Sequence, residues 1–178
     1  MLMHNEQLKT GIHLDTLEKA SKQDYFEIYT HPSMLASVSV NEIPKTLDDA
    51  AREIRLHAQF EHNGRGKYWG IYSAQRLIGL AGLHSWNLPN ESIEVSYEIH
   101  PEFRGQGIAT ASLRYMLKYA LKYFKIKCVY AYMLKGNEAS KRVAEKAGTI
   151  MINTHEKNIF FNGKWHDRWV FIWSEGCQ

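Results

Sequence analysis

Apolar residues recur along the chain with two different spacings, and the change from one to the other separates strands from helices. Alternation with a period of two, or a short apolar run between turn signals, is typical of strands. It predicts strands at residues 12–14, 68–72, 77–83, 93–99, 128–134, 149–161 and 165–173. A period near 3.6 residues predicts helices at residues 16–29, 108–124 and 137–147 and after Thr46.

Capping and turn residues support these boundaries. Thr46 is a favourable N-cap for the helix that follows it. Gly148 comes directly after the last predicted helix and is a favourable C-cap. Asn162-Gly163 is a favoured two-residue turn, so the last two strands are predicted to form a hairpin.

The predicted elements follow the order strands, helix, strand, helix, strands. A strand–helix–strand–helix unit within an otherwise antiparallel sheet predicts an α+β or mixed α/β fold, with one twisted central sheet and about four flanking helices. No repeat, low-complexity tract or linker rich in Pro, Gly and Ser divides the sequence. Residues 1–178 are therefore predicted to form a single domain.

The composition excludes several classes of protein. The 178 residues are 44% hydrophobic and include five Trp, ten Tyr and seven Phe, which is too much core material for a disordered chain. The chain has no run of eighteen apolar residues, and residues 1–10 are too polar for a secretory signal. The two cysteines, Cys128 and Cys177, make neither a disulfide framework nor a metal cluster. We therefore expect a cytoplasmic protein that binds neither metal nor membrane.

Positive charge is concentrated in one segment. The formal net charge of the whole chain is only +3, but residues 104–146 contain ten basic and two acidic residues, a local charge of +8. Such a segment within a mildly acidic remainder indicates an anionic ligand that binds there. Nucleic acid is disfavoured as that ligand, because the chain as a whole is not strongly basic.

The most informative segment is the loop between the strand at 93–99 and the helix that begins near Ile108. Residues 94–110 read EVSYEIHPEFRGQGIAT. Gly105 and Gly107 allow the backbone to approach a ligand closely, and backbone N–H groups converge at the positive end of the helix. Arg104 adds a fork of donors for phosphate oxygens. These features together predict a pyrophosphate site.

Three phosphate-binding motifs are candidates for this loop, and two of them fail. The P-loop motif requires Lys followed by Ser or Thr after its last glycine, where this chain has Ile108 and Ala109. The dinucleotide fingerprint requires a small residue where Thr110 stands, and it requires an N-terminal βαβ unit that is absent. The third motif, Gln/Arg-x-x-Gly-x-Gly/Ala, is matched at every fixed position by Arg104, Gly107 and Ala109. A plain strand-to-helix turn is the alternative for this motif alone.

The third motif is the coenzyme A pyrophosphate loop of the GNAT superfamily of N-acetyltransferases, which this chain resembles over about residues 69–173. The segment 137–148 resembles the Asn-x-x-Ser-x-x-Val-x-x-Lys-x-Gly pattern of the RimJ/RimL-like branch, the ribosomal-protein-alanine acetyltransferases. Glu94 and Tyr97 match the Glu-x-x-Tyr that precedes the loop in that branch. A late Asn-Gly-x-x-x-Asp hairpin of the branch is matched by residues 162–167, whereas Thr149 stands where the branch usually has Phe.

The resemblance implies a mixed sheet whose fourth and fifth strands splay apart, here residues 93–99 and 128–134, within a motif region of about residues 93–148. Acetyl-CoA, the acetyl donor, is then expected to lie between these strands. The resemblance also implies backbone pairing of its pantetheine with Ile99 and a side-chain contact from Asn137. It assigns the phosphates of the donor to Arg104, Gly105, Gln106, Gly107, Ile108, Ala109 and Thr110.

Acetyl transfer to an amine needs a base for the amine proton, a donor for the oxyanion and a proton for the leaving thiolate. Glu94 is the first candidate for the base because it matches the family position, and Glu98 and His84 are further candidates. Many family members place a Tyr seven residues after the Asn, where this chain has Ala144. Ser140 matches the branch and is the candidate to hydrogen-bond the sulfur or to order a water that relays the proton.

The resemblance therefore implies an acetyl-CoA-dependent N-acetyltransferase whose acceptor is a primary amine: a protein N-terminus, a polyamine or another small amine. Glu91, Glu94 and Glu98 would attract a cationic amine. A non-catalytic coenzyme A sensor on the same fold is the alternative, which Ala144 in place of Tyr favours. A nucleotide-binding or nucleic-acid-binding domain built on the basic segment ranks third. Homo-oligomer formation stays open.

Overall fold

An eight-stranded mixed sheet forms the centre of the molecule. The computed structural model describes residues 6–34, 38 and 42–175. The strands are β1 (Glu6–Lys9), β2 (Ile12–Asp15), β3 (Lys67–Ser73), β4 (Arg76–Asn87), β5 (Ser92–Ile99), β6 (Cys128–Leu134), β7 (Ile150–Phe161) and β8 (Lys164–Ser174). Their order across the sheet is β1-β2-β3-β4-β5-β6-β8-β7. Neighbours are antiparallel except β5 and β6, which are parallel, so the predicted mixed sheet is confirmed.

The described residues form four α-helices, which pack on the two faces of the sheet. They are α1 (Lys22–Thr30), α2 (Leu47–Ala58), α3 (Ile108–Tyr119) and α4 (Glu138–Ala147). Helices α1 and α2 contribute Tyr25, Ile28 and Ile54 to one hydrophobic core. Helices α3 and α4 contribute Leu113 and Ala144 to a second core. The sheet is therefore the middle one of three layers, each side of it covered by an apolar helix face.

Some elements differ from their predicted bounds. Strand β1 lies outside the predicted strands, because its four residues, EQLK, are too few and too polar to show a period of two. The helix predicted at 16–29 is interrupted: Leu17–Lys19 is a separate 3-10 turn, and the side chain of Ser21 then caps α1. The helix predicted at 108–124 changes to a π-helix over Ala120–Phe124. The other predicted elements are present, with ends that shift by a few residues.

The pairing between β5 and β6 ends halfway along the strands. Residues 92–95 pair with residues 128–131. The remaining residues of β5, 96–99, pair with β4, and those of β6, 132–134, pair with β8. The two parallel strands therefore separate toward their carboxyl ends, as the resemblance implies.

Strand β4 carries a bulge close to the turn that joins it to β5. From Gly79 to His84 it pairs in regular antiparallel register with β5, but the register shifts between His84 and Asn87, where Ser85 has φ +53°. Regular pairing fixes the faces of β5, because successive side chains of a strand point to opposite sides. The odd-numbered positions of β5 enter the core beneath α3 and α4, whereas Glu94, Ser96 and Glu98 face the other side.

The structure corrects one expectation about the cysteines. Cys128 is buried at the start of β6 and is disulfide-bonded, whereas the sequence predicts no disulfide framework. Cysteine usage therefore no longer indicates a reducing compartment. Cys177 and residues 1–5 lie outside the described residues. Among the described residues, every helix is too short or too polar to cross a bilayer.

Candidate active site

A cleft of about 590 Å³ lies where β5 and β6 separate. The diverging ends of the two strands form its floor, and the loop before α3, the first turns of α4 and the β7–β8 hairpin form its walls. Met34, Val38 and Glu42 complete the wall on the side of α1. A concave space of this volume is typical of sites for small molecules and cofactors.

The loop between β5 and α3 presents backbone donors to one end of the cleft. Gly105 and Gly107 both have φ +76°, a left-handed conformation that favours glycine. Gly107 is the N-cap of α3 and has no side chain to cap the N–H groups of the first turn. These groups point toward an anion site that the helix dipole also favours. Lys9 of β1 adds a cation there, because its Nζ donates a hydrogen bond to the carbonyl oxygen of Gln106.

Arg104 spans the base of this loop. Its Nε donates to the carbonyl oxygen of Ile99 over 3.0 Å, and its Nη1 donates to the hydroxyl of Ser33 over 3.3 Å. Partial burial lowers the pKa of the Arg104 guanidinium, which stays charged because its ordinary pKa lies far above neutrality. Arg104 therefore fixes the end of β5 to the α1 side of the cleft and keeps a positive charge beside the loop.

The first turn of α4 forms the opposite wall. Asn137 caps the helix, because its side-chain oxygen accepts a hydrogen bond from the N–H of Ser140 over 3.1 Å. The hydroxyl of Tyr97 on β5 donates to the carbonyl oxygen of Ser140 over 3.2 Å, which bridges the gap between strand and helix. Both Asn137 and Ser140 line the cleft. Ala144 is fully buried beneath them.

Glu98 is the carboxylate that faces the cleft. It is half-buried on the α1 side of β5. Loss of hydration raises the pKa of Glu98 to about 7, and repulsion from Glu42 adds to the rise, whereas a hydrogen bond with the side chain of Tyr29 opposes it. A carboxyl group with this pKa exchanges its proton near neutral pH, which suits a general base.

Glu94 opens into a different pocket on the same face of β5. This pocket, of about 380 Å³, is also lined by Ser85, Asn87, Asn90, Ser92, Ile93, Tyr130 and Tyr132. Burial raises the pKa of Glu94, and the charge of Arg168 and a hydrogen bond with the side chain of Ser85 act in the opposite direction. Burial lowers the pKa of His84, whose ring stacks on that of Tyr68. Among these three candidate bases, Glu98 alone lines the main cleft.

The raised pKa of Glu98 predicts how stability depends on pH. A carboxyl group whose pKa is higher in the folded than in the unfolded protein binds more protons when folded. The free energy of unfolding therefore falls as pH rises from about 4.5 to about 7. The Gln side chain of Glu98→Gln cannot ionise, so the variant should not lose stability in this way. The melting temperature of the variant minus that of the wild type should therefore increase as pH rises from about 4.5 to about 7. If this difference in melting temperature is the same at pH 4.5 and at pH 7, the raised pKa of Glu98 is contradicted.

The aromatic residues near the site divide between core and surface. Trp86 stacks on Phe124, and Trp169 packs against the core beneath α3 and α4. Trp165 is 60% exposed on the β7–β8 hairpin. Tyr132 lies between the two pockets and lines both of them, so it is the aromatic side chain best placed to contact a second substrate.

Comparison with known proteins identifies relatives of this chain. A family model described as an acetyltransferase (GNAT) domain matches residues 12–150. A candidate ribosomal N-acetyltransferase of Bacillus subtilis strain 168, YdaF, is 33% identical over 98 residues, which cover 55% of this chain and 54% of the relative. An uncharacterized N-acetyltransferase of the same organism, YoaA, is 26% identical over 129 residues, 71% of this chain and 73% of the relative. The chain thus aligns with about half the length of the first relative.

Solved structures share the fold. RimL, a ribosomal L7/L12 α-N-protein acetyltransferase in complex with coenzyme A, matches with a TM-score of 0.86 at 15% identity, over 96% of this chain and 97% of that chain. The microcin C7 self-immunity acetyltransferase MccE, in complex with acetyl-CoA and AMP, matches with a TM-score of 0.86 at 15% identity, over 97% of both chains. A chimera of a Vibrio cholerae spermidine N-acetyltransferase matches with a TM-score of 0.75 at 20% identity, over 92% of this chain and 95% of that chain.

Proposed function

Because the chain belongs to the GNAT acetyltransferase family, we propose that it is an acetyl-CoA-dependent N-acetyltransferase, which transfers acetyl from the thioester directly to a primary amine. The observation that carries the proposal is the cleft between β5 and β6. This cleft is lined both by the N-terminus of α3, which has no side-chain cap, and by Glu98, a carboxylate of raised pKa. The names of YdaF and YoaA support the activity, and the ligands of RimL and MccE support the donor.

The phosphates of acetyl-CoA would bind at the N-terminus of α3. The backbone N–H groups that follow Gly107, at Ile108, Ala109 and Thr110, have the geometry of an anion site, and Gly105 and Gln106 complete the loop. Arg104 and Lys9 supply positive charge on either side of it. The pantetheine would then run along the free edge of β5 toward Ile99, with Asn137 on the opposite wall.

The reaction forms a C–N bond and breaks a C–S bond. The amine nitrogen attacks the thioester carbonyl carbon, its proton passes to a carboxylate, and the sulfur leaves as a thiolate that takes up a proton. A free alkyl amine has a pKa of about 10 and is mostly charged at neutral pH, so a base is needed. We assign that role to Glu98, which lines the cleft and has a pKa of about 7. Glu94, the base expected from the family position, would attract the cationic amine from the neighbouring pocket.

The leaving sulfur would meet the first turn of α4. Ser140 lines the cleft there, and its hydroxyl would hydrogen-bond the sulfur or hold a water that relays the proton. Tyr97 holds this turn against β5 through the carbonyl oxygen of Ser140. Ala144 has no hydroxyl to offer at the position where many family members have Tyr. A mechanism with a tyrosine at that position is therefore not proposed.

The acceptor is proposed only as a primary amine. RimL is named for the acetylation of a protein N-terminus, and the Vibrio cholerae chimera is named for the acetylation of spermidine. Enzymes of this fold are thus named for protein acceptors and for polyamine acceptors. The cytoplasmic location and the formation of homo-oligomers are likewise predictions.

The melting temperature with and without acetyl-CoA tests donor binding, with NAD and ATP as controls. A ligand present at 100 times its Kd should stabilise the fold by about 2.7 kcal/mol. For a domain of this size that corresponds to a rise of several degrees. No rise at millimolar acetyl-CoA would contradict the proposal. Retention of nucleic acid that salt abolishes would then favour the basic segment as a nucleic-acid site.

Release of free thiol during incubation with a panel of amines tests turnover. We expect thiol release that requires both acetyl-CoA and an amine. The coenzyme A sensor predicts instead a rise in melting temperature without thiol release for any amine, and it is favoured only by Ala144.

A further inference from the structure

Arg168 on β8 lines the same cleft as Glu98. It is opposite Leu134 in the β6–β8 register, and Glu94 is opposite Tyr130 in the β5–β6 register. Residues that pair across strands share a face of the sheet, so Arg168 lies on the same face as Glu94, Tyr132 and Glu98. It lines the cleft together with Tyr132 and Glu98.

The guanidinium of Arg168 packs against the ring of Tyr132. Its central carbon lies 4.5 Å from the centre of the Tyr132 ring, a stacking arrangement that arginine favours. The Nε atom is buried and has no hydrogen-bond partner among the described residues. The positive charge opposes the rise that burial causes in the pKa of Glu94, but within the described ranges no carboxylate forms an ion pair with Arg168.

A partly buried donor without an acceptor is costly, because it has lost water without gaining a protein partner. The Tyr132 ring packs against the planar guanidinium of Arg168 and orients it. The Arg168 side chain therefore loses less conformational entropy when it binds a ligand. The fork matches the two oxygens of a carboxylate, and such charge-assisted pairs are stronger than neutral hydrogen bonds. Arg168 is therefore well placed to bind an anionic group in the cleft.

We infer that Arg168 is a specificity residue that selects an amine acceptor bearing a carboxylate. The inference rests on the proposed function, in which Glu98 receives the amine. Glu98 on β5 and Arg168 on β8 have β6 between them, so their backbones lie at least two strand spacings, about 10 Å, apart. Both side chains line the cleft, so the carboxylate would lie within roughly 10 Å of the amine. Such an acceptor is a zwitterion whose amine meets Glu98 and whose carboxylate meets Arg168. A polyamine is disfavoured, because its second cationic group would approach the guanidinium.

Matched pairs of acceptors that differ only in charge test the inference. One pair is γ-aminobutyrate and its amide, and the other is the tripeptide amides Ala-Glu-Ala and Ala-Gln-Ala. For the wild type, we expect kcat/KM to favour the acid by about tenfold or more in at least one pair. Arg168→Gln should bring that ratio close to one, and Arg168→Lys, which keeps the charge without the fork, should give an intermediate ratio. The KM for acetyl-CoA should not change in either variant.

Arg55→Gln is the control variant, because Arg55 is exposed on α2 and is not part of the cleft. It should keep the wild-type ratio. Equal kcat/KM for acid and amide in both pairs of the wild type would overturn the inference. So would an unchanged ratio in Arg168→Gln, or a raised KM for acetyl-CoA, since the arginine would then serve the donor. Failure of every amine to release thiol would instead overturn the proposed function.

Discussion

Glu98→Gln is expected to lower kcat by about a hundredfold to ten-thousandfold, which is the usual contribution of a general base. Glutamine preserves the size and polarity of the side chain but cannot accept the amine proton. The active form of Glu98 is the carboxylate, and burial raises its pKa to about 7. Wild-type kcat/KM, expressed per concentration of neutral amine, should therefore rise with pH through about 7, and the variant should lose that rise. Initial rates of thiol release across this pH range measure both effects.

Glu94→Gln is the matched control, because Glu94 lies on the same face of β5 but lines the neighbouring pocket. We expect it to raise the KM of the amine and to keep the rise of kcat/KM with pH. If Glu94→Gln removes this rise and Glu98→Gln keeps it, then the base is the one that matches the family motif, and the assignment to Glu98 is wrong. Melting temperatures show whether each variant is folded.

Gly107→Ala is expected to weaken acetyl-CoA binding by roughly five- to thirtyfold. A left-handed conformation costs a residue with a Cβ about 1–2 kcal/mol, and the loop can relieve this strain by turning the first N–H groups of α3 away from the phosphates. The added Cβ meets nothing closer than the Nζ of Lys9, at 3.7 Å, so the effect comes from the backbone and not from a clash. Isothermal titration calorimetry with acetyl-CoA measures the Kd.

Gly64→Ala separates the loss of affinity from a general loss of stability. Gly64 has φ +62° and no neighbour within 4 Å of an added Cβ, but it lies in the turn after α2, away from the loop. We expect a similar fall in melting temperature for the two variants and an unchanged Kd for Gly64→Ala. An unchanged Kd for Gly107→Ala would show that the phosphates do not bind at the N-terminus of α3.

The choice between Glu94 and Glu98 shows what the sequence could and could not predict. Alternation along residues 93–99 predicts that both carboxylates share one face of the strand, and this is confirmed. The family motif favours Glu94. The features that favour Glu98 are its burial and the charge of Glu42 beside it, which together outweigh the opposing hydrogen bond with Tyr29. Glu42 and Tyr29 are more than fifty positions away in the sequence, so no local pattern could reveal their effect.

The fold was predictable wherever a regular apolar pattern extended over many residues or a strong turn signal was present. Strand β6 is an example, because its predicted and observed bounds, Cys128–Leu134, agree. The contributions of Lys9 and Arg168 were not predictable. A charged residue in an amphipathic or short strand has the same local pattern whether it faces solvent or a cleft. Lys9 reaches the loop only because β1 packs at the edge of the sheet beside it, and Arg168 reaches the cleft only through the register of β8 with β6.

The bulge in β4 separates the β4–β5 turn from the end of β5 that carries Glu98. A slip of one residue in the β4–β5 register would turn Glu98 into the core beneath α3. From Gly79 to His84 that register is regular, and beyond His84 it is already irregular. Insertions and deletions in the turn at 88–91 can therefore be absorbed at the bulge. We therefore expect changes in the length of the rim of the pocket beside Glu94 to leave β5, and with it Glu98, in phase.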